Sequence, residues 1–350
     1  MADRVVTIAG RAIGSGEPPY LVAELSANHN GRLERAFEVM TMAKQAGADA
    51  VKLQTYTPDT MTIDHDGPGF RIEGGPWDGR VLYELYEEAT TPWDWHEALF
   101  AKGRELGITV FSTPFDASAI ELLESLDAPA YKIASFEVTD LPLIERAAAT
   151  GKPLIISTGM ANRNEIAEEI AAARGAGDGG LVLLHCVSAY PAPAEQYNLR
   201  TIPDLAAAFD VPVGLSDHTI GDTVAVTAVS LGAVMVEKHV TLRRADGGPD
   251  SGFSAEPGEF AALCGAVRTA WQALGTACYE RTEAERGNAV FRRSVYAVAD
   301  IAAGETLTAA NIRSIRPGFG LPPKEYPALL GRRVKRAIAR GTPLAWDLIE

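Results

Sequence analysis

Residues 108–159 read ITVFSTPFDASAIELLESLDAPAYKIASFEVTDLPLIERAAATGKPLIISTG, and this stretch decides the fold class. It contains three short apolar runs, ITVFST, AYKIAS and LIISTG, and the segments between them have the periodicity of amphipathic helices. Short apolar runs rich in β-branched residues predict buried strands. Strands that alternate with helices predict a parallel sheet connected by helical crossovers.

The same alternation continues on both sides of this stretch. Five further runs predict strands: LVAELS (21–26), AVKLQT (50–55), LVLLHCVS (181–188), VPVGLSDH (211–218) and AVMVEKHVT (233–241). Eight strands separated by helices predict an α/β fold of the (β/α)8 TIM-barrel class. A doubly wound open sheet is the alternative, but no G-x-G-x-x-G turn follows the first strand, so a dinucleotide site has no support.

The composition excludes several classes of function. The 350 residues contain 32 Lys and Arg against 46 Asp and Glu, a net charge of −14, whereas nucleic-acid binders usually carry a basic face. No basic segment leads into a long apolar one, and no run approaches the roughly 18 apolar residues that span a bilayer. Three cysteines without metal-like spacing are typical of a reducing compartment, and we expect Cys186 to be inert core. We therefore predict a cytoplasmic protein that binds neither nucleic acid nor membranes.

The composition changes towards the C-terminal end. Residues 291–350 contain ten Lys and Arg against five Asp and Glu, a net charge of +5, so the first 290 residues carry −19. We predict a catalytic barrel over residues 1–280, a linker over 281–290 and a small, mostly β domain over 291–350, which we expect to dock onto an acidic surface. This tail contains a weak repeat at an offset of 37, in which four residues recur: Ile301, Gly304, Leu307 and Ile312 as Ile338, Gly341, Leu344 and Ile349.

An insertion separates the second and third predicted strands. Residues 56–80, YTPDTMTIDHDGPGFRIEGGPWDGR, are rich in Gly, Pro and Asp. A loop that follows a barrel strand lies on the catalytic face. We interpret this segment as a lid that shapes a substrate site, with a passive surface loop as the alternative.

Polar residues end the predicted strands, and the carboxyl ends of barrel strands meet on one rim. His218 and His239 end neighbouring strands, so their imidazoles can share a divalent ion such as Mn²⁺, Co²⁺ or Zn²⁺. The alternative is that each is a hydrogen-bonded barrel residue. The whole rim set comprises Glu24, Lys52, Gln54, Thr113, Lys132, Ser135, Ser157, Ser188, Ser216, Asp217, His218, Glu237, Lys238 and His239.

Two rim lysines, Lys52 and Lys132, have hydroxyl residues near them. Ammonium groups with hydroxyl donors are suited to phosphate and carboxylate. Two other hypotheses compete with this anion site. One lysine could form a Schiff base, or Lys132 and Lys238 could be buried in ion pairs with Glu24 or Glu237.

Four residues have a functional and a structural interpretation, and a fifth, His96, has only a structural one. Glu24 is a general base, a sugar ligand or a lysine counter-ion. Tyr190 and Phe115 pack either on a sugar face or in the core. Asp250 binds a hydroxyl or forms a turn in its glycine-rich loop. His96, between Trp95 and helical residues, is assigned to packing.

Nine ordered motifs resemble the sialic acid synthase family, and they cover nearly the whole chain. They are ELSANHNG (24–31), VKLQTYTPDT (51–60), FSTPFD (111–116), YKIASFE (131–137), ISTGM (156–160), LHCVSAYPAP (184–193), GLSDHT (214–219), EKHVTL (237–242) and RPG (316–318). The tail resembles that family's C-terminal SAF domain, which is antifreeze-like and of the β-clip type. Within the family, FRIEGGPWDGRVLYELYEEATTPWDWHEALF and RADGGPDSGFS are more similar to the pseudaminic acid synthase branch than to the N-acetylneuraminate branch.

The resemblance implies a transferase that condenses phosphoenolpyruvate with an open-chain amino sugar and releases phosphate by C–O cleavage. For the pseudaminate branch the sugar is 2,4-diacetamido-2,4,6-trideoxy-β-L-altropyranose. N-acetylneuraminate or legionaminate synthesis by the same chemistry is the alternative, and a catalytically inactive sugar-binding protein is a more distant one. The implied reaction forms no covalent enzyme adduct, which disfavours the Schiff base.

The family's site residues fall on this chain one by one. The resemblance assigns the metal, expected to be Mn²⁺, Mg²⁺ or Co²⁺, to His218 and His239. Ser188 stands where sialate synthases have Asn, which leaves that sugar contact in doubt. Arg316 matches the arginine that a SAF domain inserts into its partner's active site, which implies a domain-swapped homodimer. Phosphoenolpyruvate is assigned to Lys52, Thr113, Lys132, Ser135, Ser157 and Ser216, and the sugar to Glu24, Gln54, Phe115, Tyr190 and Asp250.

Overall fold

Eight parallel strands close into a barrel in the first of two units. The structure is a computed structural model that describes residues 5–350, and the chain divides into the units Met1–Gly275 and Thr276–Glu350. Each of the eight predicted apolar runs overlaps one barrel strand, and the last strand pairs with the first of the barrel. The predicted (β/α)8 class is therefore confirmed, and the open sheet is excluded.

Within residues 5–275, the first unit contains ten strands and ten α-helices. An antiparallel hairpin, β1 (Val6–Ile8) and β2 (Arg11–Ile13), precedes the barrel. The barrel strands are β3 (Tyr20–Glu24), β4 (Ala50–Thr55), β5 (Thr109–Pro114), β6 (Tyr131–Ile133), β7 (Leu154–Ser157), β8 (Leu181–Cys186), β9 (Val213–Asp217) and β10 (Met235–His239). The helices are α1 (Leu33–Ala46), α2 (Pro58–Met61), α3 (Leu82–Ala89), α4 (His96–Leu106), α5 (Ala117–Ser125), α6 (Leu141–Ala148), α7 (Arg163–Ala176), α8 (Thr201–Phe209), α9 (Thr223–Ser230) and α10 (Pro257–Leu274).

Alternate residues of a barrel strand such as β4 belong to different hydrophobic clusters. In β4, Val51 and Leu53 belong to the large cluster that includes the surrounding helices, whereas Ala50 belongs to a smaller inner cluster with residues of the other strands. Successive side chains of a strand point to opposite faces. Lys52 and Gln54 therefore share the inner face with Ala50, and the inner face changes from apolar to polar along the strand.

The hairpin β1–β2 was not predicted from the sequence. Its residues Val6, Ile8 and Ile13 are buried and belong to the inner cluster, together with Tyr20 and Val22 of β3. The hairpin therefore packs against the apolar part of the barrel interior. Each of its strands has only three residues, too few to give a clear period in the sequence.

The insertion after β4 folds back on itself. Its chain forms an antiparallel pair in which Leu82 N donates to Phe70 O and Ile72 N donates to Arg80 O, each at 2.9 Å. We call residues 70–82 the lid hairpin.

Among the helices of residues 5–350, none combines the length and the apolar character that a bilayer span requires.

The second unit has a small antiparallel sheet and an internal symmetry. It contains β11 (Ser294–Ala297), β12 (Ile312–Ile315), α11 (Glu283–Arg286) and α12 (Tyr326–Leu329). The repeat at offset 37 has a structural counterpart, because Ile301 and Ile338 exchange two backbone hydrogen bonds of 2.9 Å. Gly304 N donates to Val334 O, and the equivalent Gly341 N donates to Ala297 O, each at 2.8 Å. The two copies of the repeat are thus interlocked by equivalent bonds.

The boundaries of the two units differ slightly from those we predicted. The structural division falls between Gly275 and Thr276, and residues 281–290, predicted as a linker, include α11 and most of a 3-10 helix, Gly287–Phe291. The range 291–350 for the functional SAF domain stays a prediction.

Candidate active site

Two buried lysines occupy the polar end of the barrel interior. Lys52 Nζ on β4 lies 2.7 Å from Glu24 Oε2 and donates to Thr113 Oγ1 at 3.1 Å. Lys132 Nζ on β6 donates to Ser157 Oγ at 2.6 Å. The lysines are only 4% and 2% exposed, so their charges are held away from bulk water and any anion bound there would interact with them strongly.

Glu237 on β10 lies within reach of both lysines. Its Oε1 atom is 3.6 Å from Lys52 Nζ, 3.9 Å from Lys132 Nζ and 3.4 Å from Ser216 Oγ. Its Oε2 atom is buried and has no hydrogen-bond partner within residues 5–350. Sequence reasoning placed Glu237 on the rim but did not assign it to the site. The alternation along β10 is the signal, because Glu237 stands two positions from both Met235 of the inner cluster and His239.

Burial and the neighbouring lysines act in opposite directions on the two carboxyl groups. Burial raises the pKa of Glu24 to about 7, although Lys52 lowers it. Burial also raises the pKa of Glu237, but Lys132 and Lys52 outweigh burial and bring that pKa below its ordinary range. Glu24 is therefore the carboxyl of this pair that can exchange a proton near neutral pH.

Burial and the neighbouring carboxylates also act in opposite directions on the pKa values of the two lysines. Burial lowers the pKa of Lys132, and this effect prevails. Burial also lowers the pKa of Lys52, but the carboxylates of Glu237 and Glu24 outweigh it and raise the pKa. Lys52 is thus a fixed positive charge in this site, held by two carboxylates.

The hypothesis that the rim lysines are buried in ion pairs with Glu24 or Glu237 predicted only some of the pairs that form. Lys52 pairs with Glu24, so the counter-ion interpretation of Glu24 describes this structure. Lys132 approaches Glu237 at 3.9 Å, as that hypothesis allowed. Lys238 contacts neither glutamate closely, since its Nζ lies 2.7 Å from Asp217 Oδ2 and donates to Thr219 O at 2.6 Å. Lys238 is one position out of phase with the inward residues of β10, so it belongs to the outer face and not to the anion site.

The two histidines come together as predicted. The ring centroids of His218 and His239 are 5.6 Å apart. His218 Nδ1 lies 2.9 Å from Val187 O, a contact that requires a proton on Nδ1 and leaves Nε2 with a lone pair when the ring is neutral. Burial, followed by the charge of His218, lowers the pKa of His239 well below its ordinary range.

The side chain of His239 fits a divalent metal ion, because it is held neutral, as a metal ligand must be, and its buried Nδ1 has no hydrogen-bond partner in the described residues. Burial lowers the pKa of His218, but Cys186 outweighs burial and raises that pKa, so a metal at His218 would have to displace a proton. Within residues 5–350, no group of three or more His, Cys, Asp or Glu side chains is arranged to hold a metal. Two imidazoles alone would leave several positions of an ion open to substrate and water.

The predicted hydroxyl residues lie at the ends of the central strands. Thr113, Ser135, Ser157 and Ser216 are all buried, and Ser188 Oγ is buried with no hydrogen-bond partner within the described chain. Gly159 is fitted tightly among them. A Cβ atom at Gly159 would lie 2.4 Å from Ser188 Oγ and 2.7 Å from Ser135 Oγ, so a larger residue there would displace both hydroxyls.

A cavity of about 440 Å³ lies beside the histidines. We call it the aromatic cavity, and it includes the predicted sugar residues Gln54, Phe115, Tyr190 and Asp250 as well as His239. Its other lining residues are Ser26, Tyr56, Met61, Ile72, Trp77, Leu82, Leu85, Tyr86, Ala89, Ala134, Phe136, Glu137, Pro249 and Phe253. Most of these side chains are apolar or aromatic, which is typical of a preformed small-molecule site.

The polar residues of the aromatic cavity are linked to one another and to Glu24. Gln54 Nε2 donates to Glu24 Oε1 at 3.0 Å and to Ser26 Oγ at 3.2 Å, and Ser26 Oγ donates to Asp250. Burial raises the pKa of Asp250, although Ser26 lowers it. Asp250 therefore lines the cavity and is bonded to its polar residues, and its binding of a sugar hydroxyl stays a prediction.

The rings of the cavity contact each other and the histidines. Tyr190 lies 4.3 Å from His218 and 5.5 Å from Trp77, measured between ring centroids. Phe115 packs on Tyr56 at 5.2 Å. Both Phe115 and Tyr190 thus line the cavity, as one interpretation of each predicted, and neither is an ordinary core residue.

The lid hairpin is part of this cavity wall. Trp77 Nε1 donates to Pro249 O at 2.8 Å, so the insertion is joined to the loop that carries Asp250. The insertion therefore borders the cavity and is not a passive surface excursion.

His96 and Cys186 lie outside the predicted site, and they differ in what surrounds them. His96 is buried, with Nε2 at 2.8 Å from Thr55 Oγ1, which supports its packing role. Cys186 is buried and free, but its Sγ lies 3.9 Å from His218 Nδ1 and it belongs to neither barrel cluster. The expectation of inert core for Cys186 was therefore incomplete, because it borders the metal-binding candidates.

Arg316 lies in the second unit, where it is exposed. It follows β12 and precedes Pro317 in the RPG motif. The structure describes one chain, and the insertion of Arg316 into a partner's site stays a prediction.

Besides Glu237 beside the lysines, sequence reasoning missed several residues of the aromatic cavity. Trp77, Phe253 and Tyr56 belong to segments without a strand or helix period, so no pattern marks them as neighbours. Glu137 is also missed: burial raises its pKa to about 7, and its Oε2 atom is buried with no hydrogen-bond partner in residues 5–350. Its position in the motif YKIASFE, two residues after Ser135, is the available signal.

Two family models match this chain. The NeuB family model matches residues 39–279, and the SAF domain model matches residues 292–350. The pseudaminic acid synthase of Helicobacter pylori is 45% identical over 337 residues, which cover 95% of this chain and 98% of the relative. A pseudaminic acid synthase of Campylobacter jejuni is also 45% identical, over 93% of this chain and 95% of the relative.

More distant relatives share the architecture. The N,N'-diacetyllegionaminic acid synthase of Legionella pneumophila is 35% identical over 96% of both chains. A crystal structure of N-acetylneuraminic acid synthetase from Leptospira borgpetersenii in complex with citrate superposes with a TM-score of 0.73 at 29% identity. That match covers 82% of this chain and 95% of the other.

Proposed function

The chain belongs to the NeuB family and ends in a SAF domain, and from this we propose that it is a pseudaminic acid synthase. In this reaction phosphoenolpyruvate, 2,4-diacetamido-2,4,6-trideoxy-β-L-altropyranose and water give pseudaminate and phosphate. The observation that carries the proposal is the buried pair of Lys52 and Lys132, with hydroxyl partners, beside two histidines and the aromatic cavity. The identity of 45% with two pseudaminic acid synthases supports this choice of product.

Lys52 and Lys132 hold the phosphate and carboxylate of phosphoenolpyruvate. Both lysines now donate to a hydroxyl on a neighbouring strand, and these hydroxyls, with Ser135 and Ser216, complete the donor set for an anion with several oxygens. The charges of the lysines also stabilise the phosphate as its C–O bond breaks. No lysine adduct is required, so borohydride should trap no covalent product; a stable adduct on Lys52 or Lys132 would contradict this step.

Carbon–carbon bond formation joins the two substrates. C3 of phosphoenolpyruvate attacks the aldehyde carbon of the open-chain sugar, and the aldehyde oxygen gains a proton. Water then adds to the electron-poor C2 and releases one proton, which balances the proton gained by the aldehyde oxygen. The tetrahedral intermediate loses phosphate as its C2 hydroxyl becomes the ketone, and the proton of that hydroxyl leaves with the phosphate. Glu24 is proposed to take the proton of this water, because burial raises its pKa to about 7 and its carboxylate form is therefore present at neutral pH.

A divalent metal ion completes the site in this proposal. Synthases of the NeuB family are metal-dependent in general, and His218 and His239 are the residues that would hold the ion here. When bound, the ion supplies Lewis-acid polarisation of the sugar aldehyde. Its identity, among Mn²⁺, Mg²⁺ and Co²⁺, is open to direct titration.

Chelation tests the metal site. We expect His218→Ala and His239→Ala to abolish metal-dependent turnover while circular dichroism shows the fold retained. Metal binding by calorimetry should be lost in parallel, which gives a readout independent of turnover. Unchanged activity of the wild type in strong chelator would contradict the assignment.

The active form is proposed to be a domain-swapped homodimer. The basic C-terminal segment, net +5, and the acidic remainder, net −19, are complementary in charge, and Arg316 is exposed. Arg316→Ala should lose activity, and mixing it with a His239→Ala variant should restore part of it. Absence of complementation, in mixtures shown to exchange subunits, would count against the swap. We also propose that the enzyme acts in the cytoplasm.

The product assignment rests on the sugar. Purified enzyme is incubated with phosphoenolpyruvate and, separately, the trideoxy altrose, its legionaminate-type diastereomer and N-acetylmannosamine, and phosphate release is measured. We expect release chiefly with the first sugar. Release only with one of the others would reassign the enzyme to legionaminate or N-acetylneuraminate synthesis, and release with none would favour an inactive binding protein.

A further inference from the structure

We propose that the lid hairpin makes this enzyme selective for an acceptor sugar whose terminal carbon is a methyl group instead of a hydroxymethyl group. The inference rests on the proposed function and specifies which feature of the acceptor the aromatic cavity recognises. It concerns the end of the sugar that takes no part in bond formation.

The aromatic cavity has one apolar wall that comes from the insertion and the helix after it. Met61 ends α2, Ile72 lies on the lid hairpin, and Leu82 and Leu85 belong to α3. None of these side chains carries a hydrogen-bonding group other than the weakly accepting sulfur of Met61. Leu85 is 7% exposed, so this wall continues into packed interior.

The polar side of the same cavity is already engaged. Gln54 donates to Glu24 and Ser26, and Ser26 donates to Asp250. Gln54 and Ser26 lie on or just after barrel strands, and Asp250 lies in the loop that follows β10. The side chains of Tyr56, Tyr86 and Glu137 are further polar lining groups. Hydroxyl and amide groups of a sugar therefore find partners at these residues, whereas Met61, Ile72 and Leu82 offer none.

The reaction determines which end of the sugar lies near the barrel and which end lies near the apolar wall of the cavity. The aldehyde carbon must reach C3 of phosphoenolpyruvate, and the lysines that hold phosphoenolpyruvate are inside the barrel. Gln54 and His239 are at the boundary between the barrel interior and the aromatic cavity, because they are inward residues of β4 and β10 and also line the cavity. The open chain of the sugar then extends outwards, and C6, the carbon farthest from the aldehyde, approaches the insertion.

A terminal hydroxyl at that wall would lose its water without gaining a partner. Burying an unpaired hydroxyl is unfavourable, and apolar pockets discriminate against an added hydroxyl by about tenfold to a hundredfold. A methyl group has no such penalty and buries apolar area in addition.

The lid hairpin is held firmly enough to act as a wall. Ile72 N donates to Arg80 O at 2.9 Å and Gly79 N donates to Ile72 O at 2.8 Å. Trp77 joins the hairpin to Pro249 and packs on Tyr190 and Phe253 at centroid distances of 5.5 and 6.2 Å. Because the hairpin is fixed by its backbone and by Trp77, changing the side chain of Ile72 should alter the wall without unfolding it.

The experiment compares two acceptors that differ only at C6. They are the 2,4-diacetamido-2,4,6-trideoxy altrose and its 6-hydroxy counterpart, each supplied with phosphoenolpyruvate, and kcat/KM is measured from phosphate release. The selectivity ratio is kcat/KM for the deoxy sugar divided by that for the hydroxy sugar. We expect a ratio of at least about tenfold for the wild type.

Two variants and one matched control locate the origin of this ratio. Ile72→Thr and Met61→Gln place a polar group on the wall with little change in shape, and each should lower the ratio by about threefold or more. Ile63→Thr is the control, because Ile63 belongs to the same insertion but is 61% exposed and is not among the cavity residues. It should leave the ratio and the activity unchanged.

The outcomes separate this inference from the proposed function. Phosphate release with neither sugar in the wild type would contradict the proposed function itself. Equal kcat/KM for the two sugars would overturn only the inference, as would an unchanged ratio in active Ile72→Thr and Met61→Gln enzymes. The selectivity ratio of the wild type is measured independently of the variants. It therefore tests the inference even if a wall variant fails to fold.

Discussion

The two halves of the proposed active site, one for the anion and one for the sugar, are built differently. The anion half consists of inward residues of the barrel strands, namely buried charges and hydroxyls such as Lys52, Lys132 and Ser157. The sugar half is formed mainly by loops and the lid hairpin, with aromatic and aliphatic side chains such as Trp77 and Phe253. Barrel strands fix charged groups accurately, whereas loops can vary in shape without altering the barrel. Chemistry common to a family and a choice of sugar can thus reside in separate parts of one fold.

Substitutions in the two halves should also differ in their effect on the stability of the protein. Lys52 and Glu24, at 2.7 Å, are almost completely buried, and removing one member of such a pair leaves an uncompensated charge. Trp77 of the sugar half is only partly buried and contacts its neighbours through ring packing and one hydrogen bond. Changes in the anion half should therefore affect both activity and folding, and changes in the sugar half should affect chiefly the acceptor.

The largest effect is expected for Lys132→Met in the anion half. This change removes a charge that contacts Ser157 and faces Glu237. We expect kcat/KM for phosphoenolpyruvate to fall roughly a thousandfold and the free energy of unfolding to fall by about 3 kcal/mol. Steady-state kinetics and urea denaturation provide both numbers, and Lys102→Met, at a surface pair with Glu105, is the control. A Lys132→Met enzyme with near-normal kinetics would show that the anion binds elsewhere.

A smaller loss, with a characteristic pH dependence, is expected for Glu24→Gln. The carboxylate is the reactive form, so wild-type kcat/KM should decline as pH falls through about 7, the pKa of Glu24. Glu24→Gln should lower kcat about a hundredfold and remove this acidic limb. Glu137→Gln is the matched comparison, because the pKa of Glu137 is also about 7. If the limb disappears in Glu137→Gln and survives in Glu24→Gln, Glu137 is the base.

A modest and selective effect is expected for Trp77→Phe in the sugar half. The substitution keeps a ring beside Tyr190 and Phe253 but removes the Nε1 donor to Pro249. We expect KM for the sugar to rise by about fivefold, consistent with the loss of one hydrogen bond, while KM for phosphoenolpyruvate stays the same. An equal increase in KM for the sugar and in KM for phosphoenolpyruvate would contradict the division into a sugar half and an anion half.

No effect on activity is expected for Glu169→Gln, which changes stability instead. Glu169 on α7 is 0% exposed, and neither carboxyl oxygen has a hydrogen-bond partner within residues 5–350. Burial raises its pKa from 4.5 to about 9. The stability that the protonated form contributes is complete below pH 4.5 and is lost as pH rises through about 9.

The amide removes this dependence. At pH 8, Glu169→Gln should be more stable than the wild type by roughly 1–3 kcal/mol, and the difference should shrink towards pH 5. The exposed neighbour Glu168→Gln should change little. Urea denaturation at the two pH values measures both variants, and a lower stability of Glu169→Gln at pH 8 would mean that the carboxyl has a partner.

The anion half could be predicted from the sequence because strands have a period. Lys52, Lys132, His218 and His239 end apolar runs, and parallel strands bring such ends together. The same period would have identified Glu237 as inward and Lys238 as outward had it been applied to β10. The sugar half could not be assembled in this way, because Trp77 and Phe253 are 176 positions apart in loops without a period. The resemblance to a family supplied Tyr190 and Asp250 there, but it did not supply the wall of the lid hairpin.

A crystal structure of the enzyme with phosphoenolpyruvate bound would show whether Lys52 and Lys132 form the anion site. We expect oxygens of the ligand to lie within hydrogen-bond distance of Lys52 Nζ and Lys132 Nζ, with C3 directed towards the aromatic cavity. A ligand bound away from the strand ends, with Lys52 still paired only to Glu24 and Glu237, would contradict this expectation.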